Sequence, residues 1–135
     1  MPLQVRSAGI RKGRGVYCTR DIDEGEIVEV CPVLLFPGPH KDLPESLQSL
    51  TFCWGFLVNA EECQALALGY GSLYNSANPA NLTFSADVAL TAIRLVAARR
   101  IQANEELTIN YSGEGGSAVS DEDHWFQSRG MVPEK

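Results

Sequence analysis

Two glycines one residue apart, Gly13 and Gly15, come directly before a run of residues that favours a strand. Because glycine has no Cβ, the backbone of Lys12–Val16 can come closer to a ligand than other residue types would allow. The spacing differs from a dinucleotide-binding fingerprint, since the third glycine and the following helix are missing. The segment therefore predicts a close backbone approach without naming the ligand.

A loop rich in asparagine runs from Asn75 to Asn81 and follows Ala67–Asn75, a run of apolar, glycine and tyrosine residues. A side-chain amide carries donors and acceptors, so an asparagine can contact an adenine edge or hold a loop in place. Loops of this composition are usually plain turns. Both interpretations stay open from the loop alone.

The segment Glu105–Tyr111 ends on a tyrosine. On a strand, Leu107, Ile109 and Tyr111 point to one face, so Tyr111 would face inward at the strand's end. A buried tyrosine needs a partner for its hydroxyl, and that partner is usually structural.

Charge and cysteine usage limit the classes of function. The 135 residues carry a formal net charge of −6, which disfavours nonspecific nucleic-acid binding and suits a basic partner. None of the four cysteines forms a C-x-x-C pair and the two histidines lie far apart, so no metal site is predicted. We expect no membrane-spanning segment and no signal peptide, and therefore reduced thiols in an intracellular protein.

Short apolar runs separated by frequent turn residues favour a mainly β fold. The predicted strands are Val16–Thr19, Ile27–Phe36, Val88–Ala97 with a bulge or bend near Ala92, and Leu107–Tyr111. One helix is predicted from Leu43 to Leu50, with Asp42 as its cap and with Leu43, Leu47 and Leu50 on its buried face.

Two corners of the chain resemble each other. Arg20–Ile27 and Arg99–Leu107 both have a buried isoleucine, a turn, an acid and then a strand. Gly25 and Asn104 are residue types that accept a positive φ in such a turn. The repeat predicts two similar tight corners and says nothing about function.

We expect one domain over residues 1–135. Residues 112–124 are rich in glycine, serine and acid, which predicts a mobile loop. Trp125 and Phe126 follow this loop. Two interpretations remain: the pair closes the core, or it covers a cofactor or substrate edge.

Taken together, these segments resemble the SET-domain lysine methyltransferases. That family has a G-x-G segment near the start, an R-x-I-x-x-G-E corner, an N-H-S-x-x-P-N loop and a G-E-E-L-T-x-x-Y strand. The likeness runs from about Val5 to Tyr111 and is closest to the small viral and bacterial members. It implies a SET-domain, β-clip-like fold of several small sheets, with a C-terminal pseudoknot and few short helices.

The resemblance implies S-adenosylmethionine as cofactor, S-adenosylhomocysteine as product, and a role for each matching residue. The implied catalytic residue is Tyr111. The implied cofactor-binding residues are Lys12, Gly13, Arg14, Gly15, Val16, Asn75, Ser76, Tyr111 and Trp125. The implied residues of the substrate channel are Tyr70, Tyr74, Ile109 and Phe126.

The implied reaction is attack of a neutral lysine amine on a sulfonium methyl group, with a lysine-containing protein or peptide, such as a histone tail, as substrate. The implied location is cytoplasmic in a bacterium, or nuclear for an enzyme of host chromatin, and a homodimer is compatible with the short chain. One departure is clear: Asn75-Ser76-Ala77 stands where the family has N-H-S. The alternative is therefore a weakly active or inactive SET-fold protein that binds peptides or mediates oligomerisation.

Overall fold

The structure, a computed structural model, describes residues 2–10, 13–58 and 60–111. Strands dominate this part of the chain: β1 Leu3–Gly9, β2 Gly13–Cys18, β3 Ile27–Pro37, β4 Thr51–Cys53, β5 Cys63–Ala67, β6 Asn75–Ser76, β7 Leu82–Asp87, β8 Ala92–Ala97 and β9 Glu106–Ile109. The helices are α1 Glu45–Gln48, α2 Trp54–Val58 and one 3₁₀ turn at His40–Asp42. The predicted mainly β architecture with few short helices is confirmed. None of the described helices is long and apolar enough to span a bilayer.

The strands form two sheets around one core. The first has the order β1-β2-β9-β6 and the second the order β4-β5-β3-β8-β7. Neighbouring strands are antiparallel except for β6 and β9, which are parallel. Apolar side chains of both sheets meet in the core, where Val16, Leu95 and Leu107 are fully buried. Burial of this apolar surface is the main force that holds the two sheets together.

One three-stranded unit occurs twice in the chain, at a spacing of 79 residues (82 − 3). The pair Leu3–Cys18 recurs as Leu82–Ala97. Two further pairs recur in the same way: Gln4–Tyr17 as Thr83–Val96, and Val5–Val16 as Phe84–Leu95. The third strand follows too, since the pair Tyr17–Glu106 corresponds to Val96–Ile27, with Ile27 lying 79 residues before Glu106. The two units therefore share these backbone pairs, although the register of β3 with β8 shifts after Ile27 and that of β2 with β9 does not.

The two corners predicted from the sequence lie where these units meet. Ile22 and Ile101 are both fully buried, and each backbone N–H donates to the other's carbonyl at 2.8 Å. Gly25 and Asn104 have positive φ angles of 84° and 72°. Both corners also carry an arginine–glutamate ion pair, Arg20–Glu26 and Arg99–Glu105. The predicted similarity of the corners is confirmed.

The prediction of a strand over 88–97 is wrong in its first half. Strand β8 begins only at Ala92, and residues 88–91 form the turn of a hairpin with β7. Asp87 Oδ1 accepts from the Leu90 N–H at 3.1 Å, and Thr91 has a φ of 50°. Of the two predicted causes for the change in alternation at Ala92, the bend is confirmed and the bulge is not, because a turn ends there.

The prediction of one helix over 43–50 is also wrong in its bounds. Pro44 follows Leu43, whose backbone is extended (φ −79°, ψ 151°), because a residue before proline avoids the helical region. Asp42 lies in the 3₁₀ turn, and α1 starts after Pro44 without a side-chain cap. None of the leucines expected on a buried face is fully buried, and Leu50 is 38% exposed.

Candidate active site

The glycine segment of β2 lies against two polar side chains. Gly15 is buried, and a Cβ placed there would lie 3.0 Å from Asn75 Nδ2, 3.1 Å from Glu106 Cδ and in severe overlap with Glu106 Oε2. The backbone of Gly15 is therefore closely approached by the side chains of Asn75 and Glu106. A close approach to a ligand stays a prediction. Gly13 is exposed with a φ of 74°, and Lys12 lies outside the described residues.

Asn75 joins the glycine segment to the last described strand. Its Nδ2 group donates to the Arg14 carbonyl at 3.0 Å and to the Glu106 carboxylate at 2.7 Å. These two bonds orient the amide and direct its carbonyl oxygen away from Glu106. Sequence reasoning did not select Glu106, although it stands beside Leu107 in the strand of the terminal motif.

The loop that starts at Asn75 holds strand β9 at both of its ends. Strand β6 pairs with β9, and the Ala77 N–H donates to the Ile109 carbonyl at 3.0 Å. At the other end, Asn81 donates to the Glu106 carbonyl and accepts from the Thr108 N–H, both at 2.8 Å. The loop therefore lies beside the strand that leads to Tyr111.

Tyr111 lies two residues after Ile109, the last residue of β9. Its hydroxyl donates to the backbone carbonyl of Tyr74, and its N–H donates to Ser76 Oγ at 3.4 Å. Burial raises the pKa of Tyr111 to about 12. At neutral pH the phenol is therefore protonated and acts as a hydrogen-bond donor.

Tyr74 and Tyr70 share one carboxylate partner. Tyr74 is 1% exposed and its hydroxyl donates to Glu29 Oε1 at 2.6 Å. The Tyr70 N–H donates to Glu29 Oε2 at 3.0 Å. Burial, and after it the bond to Glu29, raises the pKa of Tyr74. The signal for Glu29 in the sequence was an acid within the apolar run Ile27–Phe36.

The remaining implied site residues lie in the core or outside the described part. Val16 is fully buried and pairs with Leu107, and Ile109 is 7% exposed. Strand β9 is buried on both faces and not only on the predicted one, because Thr108 is buried as well. The prediction of a strand over Leu107–Tyr111 is wrong at its end, since β9 stops at Ile109 and Tyr111 lies in a turn. Trp125, Phe126 and the loop at 112–124 lie outside the described residues. Their roles, and the implied cofactor and channel contacts, stay predictions.

Cysteine and acidic residues form no cation site in what the structure describes. All four cysteines are free thiols. No group of three or more His, Cys, Asp or Glu side chains within residues 2–10, 13–58 and 60–111 could hold a metal ion. The polar groups of the candidate site are instead those of asparagine, glutamate, serine and tyrosine side chains along β9.

Comparison with known proteins identifies this arrangement. The model of the SET-domain family matches residues 13–112. A curated relative, the histone-lysine N-methyltransferase, H3 lysine-37 specific, of Schizosaccharomyces pombe, is 34% identical over 113 residues, which are 82% of this chain and 73% of that protein. The residues matched by the family model include Gly13, Gly15, the loop that starts at Asn75, and Tyr111.

Solved structures show the same fold. A candidate histone methyltransferase of Plasmodium falciparum superposes with a TM-score of 0.64 at 23% identity, over 82% of this chain and 92% of that chain. A chain of an active polycomb repressive complex 2 in the basal state superposes with a TM-score of 0.67 at 22% identity, over 84% of this chain and 16% of that chain. The expected SET-domain fold is confirmed, and the chain belongs to the SET-domain family.

Proposed function

We propose that this chain transfers a methyl group from S-adenosylmethionine to lysine side chains of a protein. The enzyme class, protein-lysine N-methyltransferase, follows from the family and from the curated relative. The observation that carries the proposal is a convergence: Gly15, the pair Asn75-Ser76 and Tyr111 come from three separate segments and lie along strand β9, the first two at Glu106 and the last beyond Ile109. Such convergence of distant polar residues is typical of a site and not of a turn.

The residues present fit S-adenosylmethionine. The missing Cβ of Gly15 opens the backbone at the point where the Asn75 amide and the Glu106 carboxylate meet. Carboxylate and amide oxygens are suitable acceptors for a ligand ammonium, and the amide also suits a base edge. The cofactor supplies a methyl group that is activated by a positively charged sulfur.

The protein's part in the reaction is to align a neutral amine. Free lysine has a pKa of about 10.4, so its ammonium must lose a proton before it can act as a nucleophile. A buried, apolar surrounding favours the neutral amine. Tyr111, held by Tyr74 and Ser76, is positioned to orient that amine without acting as a base, since it is itself protonated.

The departure at Asn75-Ser76-Ala77 does not remove the anchoring of the loop. Ser76 is 8% exposed and its hydroxyl accepts from the Tyr111 N–H. The β6–β9 pairing and the two bonds of Asn81 hold the rest of the loop. The loop therefore keeps its place without the histidine. An anchored loop is a condition for activity, and cofactor binding decides between the active enzyme and the alternative of an inactive peptide-binding or oligomerisation module.

We infer that the substrate is a basic protein segment, such as a histone or histone-like tail. The curated relative is a histone H3 enzyme, and the net charge of −6 suits a basic peptide. A histone substrate would place the protein in the nucleus of a eukaryotic cell, whereas a bacterial substrate would place it in the cytoplasm. A homodimer that completes the peptide groove is part of the same proposal.

Calorimetric titration with S-adenosylmethionine, and with S-adenosylhomocysteine in parallel, tests the cofactor. We expect saturable one-to-one binding of both ligands. Absence of binding to either would favour the inactive module. A lysine-peptide array with labelled methyl donor then tests the substrate class, with arginine-substituted peptides as the matched control.

A further inference from the structure

Glu29 is an acid in an unusual place for an enzyme core. It lies on β3 of the five-stranded sheet and is 5% exposed. Its neighbour Cys31 is a buried thiol whose pKa is raised by burial and then by Glu29. Within residues 2–10, 13–58 and 60–111, no lysine or arginine forms an ion pair with Glu29. A buried carboxylate without a cation costs free energy that an apolar residue would not, so packing alone does not account for it.

Both carboxylate oxygens of Glu29 bind one short segment of the chain. Oε1 accepts from the Tyr74 hydroxyl at 2.6 Å and Oε2 accepts from the Tyr70 N–H at 3.0 Å. The segment lies so close that a Cβ at Gly69 would be 2.5 Å from Oε2, and Gly69 itself has a φ of 65°. The turn 69–74 is therefore built against this carboxylate.

The far end of the same segment holds the proposed catalytic tyrosine. The carbonyl of Tyr74 accepts the hydrogen bond of the Tyr111 hydroxyl. Tyr74 is thus fixed at two points, by Glu29 through its side chain and by Tyr111 through its backbone. Charge-assisted bonds to a carboxylate are stronger than neutral ones, so the Glu29 bond is suited to fix the position of Tyr74.

We propose that Glu29 is a positioning residue for methyl transfer: it holds Tyr74 so that the Tyr74 carbonyl places the hydroxyl of Tyr111. This rests on the proposed function, because Tyr111 matters to the rate only if the chain transfers a methyl group. Glu29 touches neither substrate nor cofactor in this proposal and acts through two tyrosines. Its effect should therefore appear in the geometry of Tyr111 as well as in the rate.

The test uses three variants: Glu29→Gln, Tyr74→Phe and the double variant that combines these two changes. A fourth variant, Thr51→Val, serves for comparison. Glutamine keeps an oxygen for the Tyr70 N–H but replaces the charged acceptor of the Tyr74 hydroxyl by an amide, so the charge-assisted bond to Tyr74 is lost. Tyr74→Phe removes only the hydroxyl and keeps the backbone carbonyl. Thr51→Val is the control, because Thr51 is 3% exposed and its hydroxyl donates to the Leu47 carbonyl at 2.9 Å, beside the edge strand β4.

Two measurements are made on each variant: the ¹³Cζ resonance of Tyr111 in tyrosine-labelled protein, and the single-turnover rate of methyl transfer at saturating cofactor. We expect Glu29→Gln and Tyr74→Phe to shift the Tyr111 resonance and to slow transfer about tenfold or more, since misplacement of a reacting group by about 1 Å has effects of this size. The double variant should be no slower than the slower single variant, because both act on one interaction. Thr51→Val should change neither readout.

An unshifted Tyr111 resonance in a folded Glu29→Gln protein would overturn the proposal. A shifted resonance with a wild-type rate would also overturn it. If Glu29→Gln fails to fold, Tyr74→Phe decides by the same two readouts. If the wild-type chain transfers no methyl group, the proposed function fails, and the resonance alone then decides whether Glu29 positions Tyr111.

Discussion

Gly15 is the position where one added methyl group should damage the site most directly. In Gly15→Ala the new Cβ would lie 3.0 Å from Asn75 Nδ2 and would overlap Glu106 Oε2. Cβ contacts this short essentially do not occur, so the Glu106 carboxylate must move. Its movement breaks or lengthens the 2.7 Å bond from Asn75, which orients the amide proposed to contact the cofactor.

The size of the effect follows from the bond that the displaced carboxylate gives up. Glu106 ends in a flexible carboxylate that turns away at little cost, so the loss is one hydrogen bond to a charged group, about 1.5–3 kcal/mol. The affinity for S-adenosylhomocysteine then decreases about 10- to 150-fold. The larger valine of Gly15→Val should abolish binding.

The assay is calorimetric titration with S-adenosylhomocysteine, with urea unfolding to measure the stability of each variant. Gly25→Ala is the matched control, because Gly25 has a φ of 84° and nothing within 4 Å of its Cβ position. It should lose stability by backbone strain and keep wild-type affinity. A folded Gly15→Ala protein that binds as tightly as wild type would refute the reasoning.

Three further predictions concern the fold that holds the site. Asn81→Ala should lower the free energy of unfolding, measured by urea denaturation, by about 2–4 kcal/mol. The variant leaves the Glu106 carbonyl and the Thr108 N–H without the partners that Asn81 provides. An unchanged urea midpoint would contradict this. Ile22→Ala and Ile101→Ala should each cost about 2–5 kcal/mol, and a clearly sub-additive double variant would support contact between the two corners. Burial raises the pKa of Tyr111 from 10.0 to about 12, so its contribution to stability is present below pH 10.0 and is lost as the pH rises to about 12. In Tyr111→Phe, the free energy of unfolding should therefore decrease less between pH 10.0 and about pH 12 than it does in the wild type. The same pH dependence in both proteins would contradict the burial of Tyr111.

Local features of the sequence predicted the parts of the fold that local chemistry determines. The corners were predictable because a positive φ at Gly25 and Asn104 is a property of single residues. The strands β3 and β9 were predictable from short apolar runs. The hairpin turn at 88–91 was not, because exposed Val88 and Leu90 continue the apolar pattern of the strand that follows.

The site was predictable only as a set of segments. The sequence indicated Gly15, Asn75 and Tyr111, and the structure places them along β9. Glu29 and Glu106 were missed because their significance lies in contacts across 45 and 31 residues of chain, to Tyr74 and to Asn75. Such long-range pairs leave no periodic signal in a single sequence.

The most direct test of the central claim is a mass-spectrometric assay of methyl transfer. The purified chain and Tyr111→Phe are incubated with S-adenosylmethionine and a histone-tail peptide, and with the same peptide in which every lysine is replaced by arginine. We predict a mass increase of about 14 Da or its multiples on lysine with the wild-type chain only, and a rate at least about 100-fold lower for Tyr111→Phe, comparable to the loss of one preorganised donor in other enzymes. Equal transfer by Tyr111→Phe, or transfer to the lysine-free peptide, would contradict the account.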